Sequence, residues 1–133
     1  MSWARTYTSC GVDVRFSDLA TGEDACDATT ETLQHSQHQP LQYAVWDFTD
    51  VTAIDIATDD VIRIADQDKL YVQHAPGFPF VFVASNSVLY GLVRMYQVLV
   101  DKSLFPVKIV DSRHEAIEWL SRRGVDTEGL PEA

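Results

Sequence analysis

The sequence predicts a single α/β domain with a mixed, largely parallel five-stranded sheet flanked by about four helices. Three observations predict it. Apolar patterning switches repeatedly between period two and period 3.6, so that strands and helices alternate after an opening strand pair. The segment Phe80-Val81-Phe82-Val83-Ala84 is apolar on both faces, as a strand covered on two sides must be. The chain of 133 residues, 46% hydrophobic and 11% aromatic, is long and apolar enough to bury one core.

Trp3 to Thr8 and Val12 to Phe16 alternate apolar and polar residues, with Val12, Val14 and Phe16 on one face. Cys10-Gly11 supplies the turn between them. Thr21 is the expected N-cap of a first helix, with Glu23 and Asp24 in its first turn and its end near Leu33. A polar loop, His35 to Pro40, follows. Tyr43 to Phe48 reads as a central strand. Thr58-Asp59-Asp60 is expected to cap a second helix whose inner face carries Val61, Ile64, Ala65, Asp68 and Val72. Asp68 does not fit that apolar stripe, so the lower half of this helix is expected to tilt outward.

After the doubly apolar strand, Ser85-Asn86-Ser87 offers cap chemistry for a third helix. Val88, Leu89, Leu92, Val93, Tyr96, Leu99 and Val100 form its expected buried stripe. Pro106 to Val110 is the last strand. Ser112-Arg113-His114-Glu115 is a capping box that opens a fourth helix burying Ala116, Ile117 and Leu120, and Gly124 stops it.

Composition narrows the function classes. Ten basic residues against twenty acidic ones give a net charge of −10. Such a surface repels phosphate backbones and anionic headgroups, so neither nucleic acid nor membrane insertion is expected. Residues 1–66 carry three Lys/Arg against twelve Asp/Glu, whereas residues 67–133 carry seven against eight. The acidity is therefore local. An Asp-rich, Lys-poor surface is one way to stay hydrated in high salt, and it is equally the surface of an ordinary soluble acidic domain. Cys10 and Cys26 have no CxxC spacing and read as two small buried hydrophobes in a reducing compartment. The N-terminal residues lack the apolar run of a signal peptide, and the longest apolar run is too short to span a bilayer, so a cytoplasmic protein is expected.

Three stretches carry a resemblance. Trp46-Asp47-Phe48-Thr49-Asp50-Val51-Thr52-Ala53-Ile54-Asp55 ends a strand in Asp-aromatic-Thr and leads by a short turn into a helix. Leu89-Tyr90-Gly91-Leu92-Val93-Arg94-Met95-Tyr96 and Glu115-Ala116-Ile117-Glu118-Trp119-Leu120 are more specific. Together they resemble the SpoIIAA-like (STAS/Sec14-type) family of small bacterial proteins, related to the STAS-domain antagonists of anti-sigma factors. The likeness spans residue 3 to about residue 122. It implies a STAS-like domain over residues 1–124, a loose polar tail over residues 125–133, and docking of protein partners in place of catalysis. In that family a Ser in an Asp-Ser-Ser-Gly turn is phosphorylated as a switch. The matching positions here are Asp55-Ile56-Ala57-Thr58, so Ile56 occupies the phosphoacceptor position, and Thr58 is explained as a helix cap.

Candidate contact residues gather where ligands of open parallel sheets bind, at the carboxyl ends of the strands. They are Asp50, Asp55 and Thr58, then Ser85, Asn86 and Ser87, then Ser112 and Arg113. Free N–H groups at the third and fourth helix starts, with Arg113 or Arg94, would suit an anion, whereas the same Ser and Asn residues also suffice as caps. Tyr90 and Arg94 share one face of the third helix. They form either a partner contact or a structural arrangement in which Arg94 pairs with Asp47 or Asp50.

No catalytic constellation, metal site or cofactor loop is expected. His35 and His38 lack further ligands, and no glycines take phosphate-loop spacing. Three functional readings remain open. The first is a non-enzymatic regulatory module that docks a protein partner or a second copy of itself, its acidic first half facing a basic surface. The second is a Sec14-like carrier with an apolar cavity of several hundred Å3 for a small molecule or lipid. The third is a hydrolase or transferase joining His114, Asp111 and a Ser.

Overall fold

The structure, a computed structural model, describes residues 3–132. The outer ends of the expected domain at residue 1 and of the tail at residue 133 lie outside the described residues. The elements run β1 (Trp3–Tyr7), β2 (Gly11–Thr21), α1 (Gly22–Ser36), β3 (Tyr43–Asp55), α2 (Thr58–Tyr71), β4 (Phe80–Val83), α3 (Ser87–Leu99), β5 (Val107–Val110) and α4 (Arg113–Arg122).

The strands lie in chain order across one sheet, β1-β2-β3-β4-β5. β1 pairs antiparallel with β2, and the other neighbours are parallel. That order dictates the layers. Each crossover steps one strand in the same direction, and right-handed crossovers then put α1, α2 and α3 on one face. There they cover Val14, Phe16, Trp46, Phe48, Phe80 and Phe82 with Ala25, Ala28, Val61, Ile64, Leu89 and Val93. The opposite face, with Tyr43, Val45, Val81, Val83 and Val110, is closed by Ala116 and Leu120 of α4. β4 is buried throughout because it is covered from both sides. The α/β class and the five strands and four helices are as the patterning predicts.

Several local expectations are corrected. β2 and β3 are much longer than their alternating segments, because they run on together as a two-stranded parallel ribbon that pairs Ser17 with Asp50 and Thr21 with Asp55. Irregular register between Arg15 and Leu19 and a left-handed Asp18 (φ 57°) bend this extension. The expected turn after Asp47-Phe48-Thr49 is therefore strand. α1 continues to Ser36. Ala57, not Thr58, is the N-cap of α2; the Asp60 carboxylate accepts from the Ala57 amide at 2.8 Å. The inner face of α2 does not tilt outward, since Asp68 is only 1% exposed. On α3, Val88 is 59% exposed and outside the core stripe. Cys10 and Cys26 are free thiols and only half-buried.

Residues 125–132 pack back instead of trailing. Leu130 is buried in the α4 layer, and the Arg113 Nε donates to the Pro131 carbonyl at 2.8 Å.

One glycine is required by close approach. A Cβ on Gly77 would fall 2.0 Å from the Leu104 carbonyl oxygen, where the loops before β4 and β5 meet. Backbone cannot swing aside as a side-chain tip can. Gly77→Ala is therefore expected to lower stability by about 1–3 kcal/mol, read as a reduced urea midpoint.

Candidate functional site

The carboxyl ends of β3, β4 and β5 lead into the starts of α2, α3 and α4, and the sequence candidates lie along this edge. Asp50 and Asp55 are exposed on the ribbon beside β2, and Thr58 is exposed in the first turn of α2. Ser85 and Ser87 are exposed on either side of Asn86, whose Oδ1 accepts from Val88 N at 2.8 Å and Leu89 N at 3.3 Å. The Ser112 Oγ accepts from Glu115 N at 3.2 Å. The reciprocal arm of that capping box goes one residue further back, from Asp111 N to the Glu115 carboxylate at 2.9 Å.

Arg113 is not presented to a ligand. It is 7% exposed, and its two terminal nitrogens reach Asp13 (2.8 and 3.1 Å) and Asp47 (2.7 Å). Asp13 and Asp47 sit on adjacent parallel strands and share the α4 face, so one guanidinium at the start of α4 spans both. The fork geometry of arginine suits this task in a way that lysine does not. Burial would push the Asp47 carboxyl up, but hydrogen bonds from the Thr49 hydroxyl (2.5 Å) and amide (2.8 Å) and from Arg113 hold it below the ordinary Asp value. The expected anion contact at Arg113 is thus replaced by a buried ion cluster that fastens α4 and the terminal segment to the sheet.

With α3 covering the sheet face opposite the one that carries Asp47, Arg94 does not pair with Asp47 or Asp50. Its guanidinium donates to Gln97 Oε1 at 3.0 Å, one turn on, at the surface. Tyr90 is 51% exposed on the same side of α3. His114 is exposed and faces Glu118 at 3.6 Å, so it is not joined to Asp111 and a Ser as a hydrolase would need. His35 stacks on Tyr7 with ring centroids 3.6 Å apart.

The cavity between α2, α3 and the sheet is partly open to solvent and has a volume of about 50 Å3. That is far below the several hundred Å3 expected of a lipid carrier. Its walls include Trp46, Phe48, Phe80 and Phe82, with Ile56 and Leu92 as the half-buried members. Asp68 of α2 and Tyr96 of α3 are its polar groups, and the Tyr96 hydroxyl donates to Asp68 Oδ2. Burial, only partly offset by that hydrogen bond, pushes the Asp68 carboxyl up to about 7. Burial and the adjacent carboxylate push the Tyr96 phenol well above its ordinary value, so it remains a donor. Among the described residues, Asp68 Oδ1 and the Trp46 indole N–H have no hydrogen-bond partner.

Sequence reasoning missed both buried clusters. The signal for the first is Asp47, an acid inside a strand that is otherwise apolar on both faces; Asp13 lies on the polar face of an alternating strand and gives no such signal. For the second it is Asp68, the misfit already visible in the α2 stripe.

No family model matches the sequence, and no curated protein matches it either. Solved structures do. An uncharacterized protein of the DUF3478 family with a SpoIIAA-like fold, from Shewanella loihica PV-4, superposes with a TM-score of 0.56 at 17% identity, over 90% of this chain and 93% of the other. The anti-sigma factor antagonist SpoIIAA in its unphosphorylated form superposes with a TM-score of 0.56 at 13% identity, over 92% and 99%. This chain has the SpoIIAA-like fold. Within that fold, the helix start where the resemblance places a phosphoacceptor holds Ile56 turned toward the apolar cavity and Thr58 at the surface. No described helix is long and apolar enough to cross a membrane.

Proposed function

We propose that this chain is a non-enzymatic regulatory module that docks a protein partner, or a second copy of itself, through the outer face of α3. It does so without a phosphoserine switch, since Ile56 has no hydroxyl to modify. The observation that carries this reading is the composition of that face. In a protein of net charge −10, the thirteen residues of α3 contain one charge, Arg94, and expose Val88, Tyr90 and Val98 (77%). Exposed apolar side chains on a helix with so little charge suit an interaction surface.

Gly91 lies on the same face. A Cβ there would meet nothing within 4 Å, so no contact inside the chain requires glycine. Glycine within a helix costs about 1 kcal/mol relative to alanine. A bare backbone at that point suits close approach by a partner. The fold likeness to an anti-sigma factor antagonist supports a docking role, and the acidic ribbon of Asp18, Asp50 and Asp55 favours a partner with basic residues around an apolar contact.

Gly91→Ala separates folding from docking: it is expected to raise stability by about 0.5–1 kcal/mol and to weaken the complex. Val98→Glu should abolish association while leaving the fold intact. Native mass spectrometry of protein purified from its own source checks both, with added salt expected to loosen the complex. A solitary monomer in native lysate, or association unchanged by Val98→Glu, overturns the reading.

A further inference from the structure

The sheet has two outer strands, β1 and β5, and their free edges differ. At β5 the Gln97 side chain donates to the Val107 carbonyl at 3.1 Å and Lys108 is exposed, and both discourage a further strand. β1 carries no proline, lysine or bulge, and its five residues pair with β2 in unbroken register. The turn fixes the phase of that pairing, since Thr8 N donates to the Gly11 carbonyl at 2.9 Å. Antiparallel partners alternate between bonded and non-bonded pairs, so Thr6 bonds with Asp13 and Ala4 with Arg15 through their backbones. The N–H and C=O groups of Trp3, Arg5 and Tyr7 therefore point away from β2. Among the described residues, none of these groups meets a backbone partner.

We infer that β1 pairs antiparallel with β1 of a second copy, about a two-fold axis at Arg5, and so joins the two sheets into one. The strand is matched to itself about that point. Arg5 exchanges both backbone bonds with the partner's Arg5, and Trp3 does so with the partner's Tyr7. On the face away from α1, Ala4 lies beside the partner's Thr6, a close pair that two small uncharged side chains allow. On the α1 face the charges match as well. Arg5 is 3.3 Å from Glu31 of α1, and both side chains are 40% exposed. The axis gathers two charges of each sign, so the acids offset the two arginines that meet there. The same axis runs α1 antiparallel to its copy at the level of Glu31. Asp27 and His35, about one turn to either side, then each face the other's copy. The ribbon of β2 and β3 has no such match, because its register is irregular and its exposed Asp50 and Asp55 would meet like charge.

This contact lies at the opposite edge of the sheet from β5, which α3 flanks, so it does not rest on the α3 docking proposal and leaves that face free. The two contacts also respond to salt with opposite signs. Two copies of charge −10 repel each other over a distance that salt screens, so self-association tightens as salt rises. Docking of a basic partner loosens. One edge of five residues is a small interface, which sets Kd on the order of 100 μM.

The test is sedimentation equilibrium of the purified full chain from about 10 μM to about 1 mM, with amide hydrogen exchange read by NMR at both ends of that range. The expected result is a reversible dimer. Exchange of the Arg5 and Tyr7 amides should slow about fourfold across the range, while the Ala4 and Thr6 amides, already bonded to β2, stay unchanged. Arg5→Pro removes an N–H that points outward, which an edge strand tolerates, and should weaken the dimer at least about tenfold. Should the proline disturb the fold, Ala4→Lys combined with Thr6→Lys sets like charges across the axis and should have the same effect. Val98→Glu should leave this dimer intact; a dimer that it abolishes belongs to α3 and overturns the assignment to β1. A monomer throughout, a dimer retained by the β1 variants, or protection that fails to alternate along β1 would each overturn it too. None of those three results bears on docking of another protein at α3.

Discussion

Arg113→Met is expected to cost about 3–5 kcal/mol of stability at neutral pH. The methionine fills much of the same volume, so the loss is not mainly one of packing. It arises because Asp13 (3% exposed) and Asp47 (4% exposed) would face each other across adjacent strands with their bridging cation gone. Arg15, at 3.4 Å from Asp13, reaches that acid from a half-exposed position. The anchor of the terminal segment, Arg113 Nε to the Pro131 carbonyl, would go with it.

The pH profile provides a signature that a simple cavity would lack. In the wild type, Asp47 is held below its ordinary value, so its contribution is present above the unfolded-state value and lost as pH falls through the folded one. In Arg113→Met, Asp47 loses the cation that holds its carboxyl low, and that carboxyl moves up. The deficit should then shrink as pH is lowered toward 4. Adding Asp13→Asn and Asp47→Asn should recover much of the loss, because a buried ion cluster replaced as a unit costs far less than one broken in half. Urea unfolding at pH 4 and pH 7 measures all three effects; a deficit that is the same at both values would show that charge is not the cause.

The second large effect has the opposite sign. Asp68→Asn is expected to stabilise the protein at pH 8 by an amount on the order of a few kcal/mol. The folded-state carboxyl is pushed up to about 7 from an ordinary 3.8, mainly by burial. Below the unfolded value both states hold the proton, and the wild type and variant should be alike. Between about 4 and 7 the unfolded chain releases its proton while the folded chain keeps it, so wild-type stability falls with rising pH. Above 7 the gap is constant. A comparison of unfolding midpoints from pH 4 to pH 8 checks this, and a gap that does not widen with pH would remove Asp68 from its role as a buried acid.

Much of the fold was legible in the residues themselves. Alternation in Val12, Val14 and Phe16, double apolarity in Phe80 to Ala84, and cap chemistry at Thr21, Asn86 and Ser112 each arise from interactions within a few residues. The structure shows the Thr21 hydroxyl accepting from Asp24 N at 3.1 Å, and Asn86 and Ser112 capping α3 and α4. The ribbon formed by the ends of β2 and β3 was not legible, because polar residues such as Ser17, Asp18, Asp50 and Thr52 become strand only through pairing with one another. Ala57 displaced Thr58 as the cap of α2 because the Asp60 carboxylate reaches back to the chain before the helix, a choice of geometry rather than composition.

By itself, then, the sequence determined the alternation of elements, the local acidity and the absence of a hydroxyl at Ile56. Only the tertiary structure decided what the charged residues do. Arg113 was read as a surface cation beside an anion site and proved to be the buried tie between two strands. Asp68 was read as a sign of outward tilt and proved to be the uncompensated acid of an apolar cavity. A carboxylate or guanidinium has the same identity wherever it sits, and its energy depends on the dielectric and partners around it. Those partners, 100 residues away for Asp13 and 28 residues away for Asp68, come together only when the sheet and helices have closed.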